Sequence, residues 1–362
     1  MTKILARDPA RRCKPLFEWP EFDRELWLAS LPPGNIIDGA GARAGLAFHS
    51  NRKLVSSYGR WLQWLDIRGL LDAGQPPAAR ITADRVSGYV KDLSAFNAAQ
   101  TMISRVVELQ QMALILDPTQ DWKWLSRISA SLRARHVPAR PKAPRIVGTD
   151  ELFSLGTQLM SDASQRDKSL QRALQYRDGL VVALLAARPL RRRNLAGLRI
   201  GHSVVQRGGD WWLDIPASET KTKAHISVPL PAILSTAVDS YITVHRDFLI
   251  GQRGRWWQDP GAALWISSHG SPMTEMALYD RIVATTRARF GRGINPHFFR
   301  DCAATSIAHD DPGHIRMAAP LLGHRTFATT DRYYIQSSTR RATLWWQDHV
   351  IALRANFDEP TT

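Results

Sequence analysis

Residues Val204 to Ile215 read VVQRGGDWWLDI, and residues Lys221 to Pro231 read KTKAHISVPLP. Arg207-Gly208-Gly209-Asp210 is a turn signal flanked by alternating residues, and Ile226, Val228 and Leu230 alternate again, so the period of two predicts three short antiparallel strands. On either side the period is helical. Leu170 to Ala187 reads as a buried helix, and Gly148-Thr149-Asp150-Glu151 carries capping residues for an earlier one. From Ala232 onward the pattern is helical, broken at Gly251 to Gly261, Gly291 to Pro296 and Gly313. The expected class is therefore mainly α with a small antiparallel β-sheet (α+β).

Toward the N-terminus, His136 to Arg145 reads HVPARPKAPR; its three prolines resist both helix and central strand, and its basic residues suit a surface linker. Four helical patterns precede it. Leu54, Tyr58, Trp61, Leu62 and Leu65 share one face; Thr82 can cap a helix burying Val86, Tyr89, Val90 and Leu93; a third helix starts near Ala99, and a fourth covers Trp124 to Leu132. Residues 1–48 show no sustained period and read as an extension or arm. The expected organisation is an extension at 1–48, a helical domain at 49–135, a basic Pro-rich linker at 136–145, a larger domain at 146–350 and a tail at 351–362.

The chain has 362 residues, more than one ordinary core accommodates. Its net charge of +15 attracts polyanions, of which nucleic acid is the commonest. A hydrophobic fraction of 44% with 22% charged residues excludes a disordered or fibrous chain. Cys13 and Cys302 lie far apart, matching neither a disulfide framework nor a zinc site, so no metal or cofactor is expected. The first residues, MTKILARDPARR, lack a signal-peptide core, and the longest apolar run, Gly179 to Ala187, is too short to span a bilayer, so the expected location is a bacterial-type cytoplasm, without a membrane partner. The 13 tryptophans include the pairs Trp211-Trp212, Trp256-Trp257 and Trp345-Trp346, for which core packing is the expected role, ahead of base stacking.

Four motifs follow one another: ARPLRRRNLAGLRI (Ala187 to Ile200), the lysine-bearing KTKAHISVPLP, NPHFFRD (Asn295 to Asp301) and LLGHRTFATTDRYY (Leu321 to Tyr334). Singly each is weak, since H-x-x-R pairs are common on helices and arginine clusters are often solvated faces. In this order and spacing they resemble the boxes of the tyrosine recombinase (phage integrase) family of site-specific DNA recombinases. The resemblance covers Gly148 to Gln347. The helices before it are similar, by topology and position, to that family's helical core-binding (SAM-like) domain, which makes 146–350 a tyrosine-recombinase-type catalytic domain.

The resemblance implies that Tyr333 attacks the DNA backbone, that Arg191 and Arg300 clamp the phosphate, that Lys221 is the general acid, that His297 accepts the tyrosyl proton and that His324 hydrogen-bonds the phosphate. The chemistry suits these residue types. A phenol is a tolerable nucleophile and a better leaving group than an alcohol, guanidinium forks match phosphate oxygens, and an ammonium can protonate a departing alkoxide. Neither ATP nor metal is implied. Tyr334 adjoins Tyr333 but points elsewhere on a helix, and the family spacing selects Tyr333. Arg188, Arg192, Arg193 and Lys223 are read as DNA-backbone contacts or solvated charge. Two positions depart from the family pattern: Pro189 stands where Gly is usual, and Asn194 where Glu or Asp is usual, removing one carboxylate that supports the site. Asp301 is either a partner of the site residues or a helix-surface charge.

The expected function is that of a DNA strand transferase: cleavage and rejoining of duplex DNA through a 3′-phosphotyrosyl intermediate and a Holliday junction, for a mobile element. The implied partners are DNA with inverted half-sites held between two domains in a C-shaped clamp, further copies making a tetramer, and an accessory recombinase or directionality factor; DNA-bound copies would be nucleoid-associated. An amphipathic segment from Leu344 to Leu353 either packs at home or docks on a neighbouring copy. Two other readings keep the fold: a catalytically weak or inactive DNA-binding regulator, and a type IB topoisomerase-like relaxing enzyme.

Overall fold

The computed structural model describes residues 8–30, 45–46, 48–136, 143–166 and 169–310. It divides into two compact units, Met1–Pro141 and Lys142–Thr362.

The first unit is helical: α1 (Glu21–Ala29), α2 (Phe48–Ile67), α3 (Pro77–Arg80), α4 (Ala83–Ser94), α5 (Ala99–Leu116) and α6 (Lys123–Ala134). Thr82 caps α4, its hydroxyl accepting from the Arg85 amide at 3.4 Å. The core follows the spacing in the sequence: Leu54, Tyr58, Trp61, Leu62 and Leu65 of α2 pack with Val86, Tyr89 and Leu93 of α4 and with Val106, Leu109 and Met112 of α5.

Part of the N-terminal segment, expected as an extension or arm, packs into this unit. Trp19 and Trp27 are buried in this same core. Trp19 lies outside any α-helix, where its indole N–H donates to the Lys14 carbonyl at 3.1 Å, and the Lys14 amide donates to the Gly59 carbonyl at 2.9 Å. Periodicity misses such a segment because α1 is only nine residues long and is preceded by prolines. Below it lies a charged cluster. Asp23 and Arg80, both 0% exposed, form an ion pair; Tyr58 donates to Asp23 Oδ1 at 2.6 Å, and Arg80 Nη1 donates to the Asp72 carbonyl at 2.7 Å. Burial raises the Asp23 pKa, against the lowering effect of both partners.

The second unit begins with residues 143–146, whose carbonyls at Pro144 and Ile146 accept from Arg292 at 2.7 and 3.3 Å. Of the expected linker, residues 137–142 lie outside the described residues. Helix α7 (Thr149–Ala163) opens with the Glu151 carboxylate accepting from the Gly148 amide at 3.3 Å. It packs on α8 (Ser169–Ala187) at a glycine pair: a Cβ on Gly179 would stand 2.7 Å from the Gly156 carbonyl oxygen, and one on Gly156 2.5 Å from the Ala183 amide nitrogen. Only glycine permits that approach.

The short α9 (Arg192–Ala196) then leads into the antiparallel sheet β1 (Val204–Arg207), β2 (Asp210–Ile215) and β3 (Ile226–Pro229), in that order, with Val204 opposite Leu213 and Leu213 opposite Val228. Helix α10 (Ala232–Ser240) continues through a π-helical turn, Tyr241–Arg246, into α11 (Asp247–Ile250). That turn aims Tyr241 inward, where its hydroxyl accepts from the Ile266 amide at 3.3 Å, and stacks His245 on Tyr176 with ring centroids 4.1 Å apart. Helices α12 (Glu275–Phe290) and α13 (Pro296–Asp310) complete the described part. Asp178 of α8 lies between two arginines: Arg177 bonds one carboxylate oxygen at 2.7 and 3.0 Å, and Arg281 of α12 bonds the other at 2.5 and 3.0 Å.

The fold is thus mostly helical with a small three-stranded antiparallel sheet. No helix among the described residues is long and apolar enough to cross a membrane. Both Cys13 and Cys302 are free thiols. Trp211 is buried as expected, whereas Trp256 is 78% exposed on a surface loop with the Arg255 guanidinium 5.0 Å from its ring. Core packing is therefore not its role.

Candidate active site

Each half of the site is built by local sequence. In NPHFFRD, the Asn295 side chain accepts from the Phe298 amide at 3.0 Å and Pro296 takes the first helical position, so α13 starts there and carries His297 and Arg300 in its opening turns. His297 is exposed and Arg300 is 7% exposed. In ARPLRRRN, Pro189 and Leu190 break away from α8, and Arg191, with extended backbone, becomes the residue that caps α9.

These halves, more than a hundred positions apart in sequence, meet. Arg300 Nη1 donates to the Pro189 carbonyl at 2.8 Å, which fixes the α13 arginine against the segment that presents Arg191. Pro189 has no amide to give, but its carbonyl serves here, so the departure from glycine leaves this contact intact. Burial lowers the pKa of Arg191 from its ordinary value, and that of Arg188 likewise. Both remain charged, since a guanidinium titrates far above neutrality, and a partly desolvated cation acts more strongly on an anion than a solvated one.

Lys221 is exposed on the loop between β2 and β3. The neck of that loop is closed by side-chain bonds. Thr220, 5% exposed, donates to the Ala224 carbonyl at 2.8 Å and accepts from the Ala224 amide at 3.0 Å, while the Lys223 amide donates to the Thr220 carbonyl at 3.1 Å. Lys223 holds φ +53°, the left-handed turn that closes a tip of three residues.

Asn194 connects the loop to the arginine segment. The sequence suggests a weakened site, because a carboxylate is missing there; in the structure the buried Asn194 amide donates to the Glu219 carbonyl at 3.1 Å. A carboxylate could not make that bond. The Glu219 side chain pairs in turn with His202, whose Nε2 is 2.8 Å from Oε1. A groove of about 500 Å³ runs beside this junction, with Arg193, Asn194, Arg199, Glu219 and Glu275 on its walls.

Of the remaining basic residues, Arg192 is exposed, pairs with Glu275 in the first turn of α12 at 3.1 Å and lies 5.9 Å from the Tyr279 ring. Arg193 is exposed. Asp301 is 6% exposed, which excludes the helix-surface reading. His324, Tyr333, Tyr334 and the segment from Leu344 to Leu353 lie outside the described residues. Thr220 and the Pro189 and Glu219 carbonyls escape sequence reading: a threonine before a lysine carries no signal, and carbonyls are anonymous.

The phage integrase family model matches residues 157–341, just over half of the chain and spanning every motif named above. The chain belongs to the phage integrase family. Solved structures of tyrosine recombinases share the fold. The XerH site-specific recombinase bound to its difH substrate in a pre-cleavage complex matches with a TM-score of 0.56 at 14% identity, covering 92% of this chain and 99% of that one. A lambda integrase dimer bound to a COC′ core site matches at 0.50 with 16% identity, over 81% of this chain and 90% of that one. The Tn1549 transposon integrase in complex with circular intermediate DNA matches at 0.50 with 13% identity, over 82% and 94%. No curated protein sequence matches the chain.

Proposed function

We propose that this tyrosine recombinase cuts and rejoins duplex DNA at specific sites through a covalent bond from Tyr333 to a 3′ phosphate. In the cleavage step the Tyr333 Oη–P bond forms and the P–O5′ bond breaks. The phenolic proton passes to His297, and the Lys221 ammonium gives a proton to the departing 5′ oxygen. Arg191 and Arg300 hold the non-bridging oxygens as charge builds on them, with His324 as a further donor. Because a phenolate leaves readily, the 5′ hydroxyl of a second strand can reverse the step and join a new partner.

The observation that carries this reading is the Arg300 bond to the carbonyl of Pro189, two residues before Arg191. The family membership supports the roles. Asn194, the main reason to suspect an inactive regulator, is accounted for as a donor rather than a lost acid. The same proposal includes inverted half-sites bound by two copies, a tetramer joining two sites, strand exchange through a Holliday junction, backbone contacts from Arg188, Arg192, Arg193 and Lys223, and service to a mobile element with an accessory recombinase or directionality factor.

The test is covalent trapping. Nicked duplexes drawn from the ends of the DNA segment that encodes the chain are incubated with purified protein. Wild type is expected to form a 3′-linked adduct resistant to denaturation, and Tyr333→Phe none. Adducts that persist in Tyr333→Phe and vanish in Tyr334→Phe would move the nucleophile. Relaxation of plasmids lacking any such sequence would favour the topoisomerase reading.

A further inference from the structure

The Lys221 loop is held at its neck by two side chains that take no part in the chemistry just described. Thr220 closes Ala224 against itself with a donated and an accepted bond, 2.8 and 3.0 Å, leaving Lys221, Thr222 and Lys223 as the tip. One residue earlier, the Glu219 carbonyl receives the Asn194 amide at 3.1 Å, and Asn194 stands on α9 three positions after Arg191. Both Asn194 and Thr220 are less than a tenth exposed, which shields their side chains from water at these bonds. A short path of covalent and hydrogen bonds therefore runs from Arg191 to Lys221.

We propose that Asn194 and Thr220 are positioning residues that set the distance between the Lys221 ammonium and the phosphate held by Arg191. The inference rests on the function proposed above and goes beyond it in naming what aims the general acid. A proton donor must lie within hydrogen-bond reach of the leaving oxygen, and small misplacements of reacting groups cost large factors in rate. The geometry also sets a polarity. Asn194 must donate, so Asn194→Asp, a change toward the residue type usual in the family, would place a carboxylate against a carbonyl oxygen and push the loop away.

The experiment compares two nicked duplexes identical except at the cleaved linkage, one with the ordinary bridging 5′ oxygen and one with sulfur in its place. A thiol has a pKa of about 8.5, so sulfur departs as thiolate without a donated proton, and a defect confined to the general acid disappears. Asn194→Ala and Thr220→Val are expected to slow adduct formation on the oxygen substrate about tenfold or more, a fraction of the ~10²–10⁴ that a general acid supplies, while staying within about threefold of wild type on sulfur. Thr220→Ser keeps the hydroxyl and the rate. Asn194→Asp is slow on oxygen and recovers partly as pH falls, because a protonated acid donates again.

Equal losses on both substrates in Asn194→Ala and Thr220→Val would overturn the proposal in favour of a purely structural role, as would unchanged rates. Sulfur rescue of Lys223→Ala but not Lys221→Ala would overturn the choice of lysine. Binding of the same duplexes and the thermal midpoint are measured alongside, and Thr220→Ser serves as the variant that keeps the fold. Absence of any wild-type adduct on either substrate would refute the recombinase function itself, a different failure.

Discussion

Arg300 shows how a single buried side chain joins two motifs. Its bond to the Pro189 carbonyl uses one edge of a planar guanidinium, and lysine, a flexible point charge, cannot hold a carbonyl and fork onto phosphate in the same geometry. Arg300→Lys is therefore expected to lower the cleavage rate on the order of a hundredfold or more while leaving duplex affinity within a few fold, measured by trapping and by titration of labelled DNA. Affinity falling as far as rate would remove Arg300 from the reacting phosphate. At this scale the sequence was informative about residue types and order, because H-x-x-R and a distal arginine box are local patterns. It marked Asn194 as a missing carboxylate and was silent on its partner. Only the fold places Asn194 beside Glu219, and only that neighbour explains an amide where an acid is usual.

Elements carry a second kind of constraint, seen where α7 and α8 cross. With 2.7 Å between a methyl group placed on Gly179 and the Gly156 carbonyl oxygen, Gly179→Ala forces the helices apart. A loss of about 1–3 kcal/mol in unfolding free energy is expected, read from denaturant titration. The π-helical turn is the other such element. His245 is stacked on Tyr176, and its pKa is lowered first by burial and then by Arg172. A base whose folded pKa is depressed contributes stability above its unfolded value, roughly 6.5, and that contribution is lost as pH falls below it, because the unfolded chain takes up the proton first. His245→Phe should flatten the fall in thermal midpoint between about pH 7 and about pH 5; an unchanged slope would assign that fall to other groups. Helices and strands of this unit were legible in the sequence, since α8 and the β1–β2 turn have clean periods. The π turn was not, as it is a single widened turn inside an otherwise helical run.

At the scale of the molecule, the first unit is larger than its periodic helices. Residues 8–30 were unreadable because their anchoring is not periodic: Trp19 and Trp27 fill core space from a short, proline-flanked segment, and Asp23 answers an arginine far along the chain. Asp23→Ala is expected to destabilise this unit by about 3–5 kcal/mol, the range for removing one partner of a buried pair, whereas replacing Asp23 and Arg80 together by apolar residues of similar size should cost much less. Chemical denaturation of the three proteins compares them directly.

The same pair governs how the protein can be cut for study. A fragment designed from periodicity would begin near residue 49 and keep Arg80 but discard Asp23, leaving a cation sealed in an apolar interior with its counter-charge amputated. Such a fragment would aggregate or melt early, and its frailty would be mistaken for a property of the intact unit.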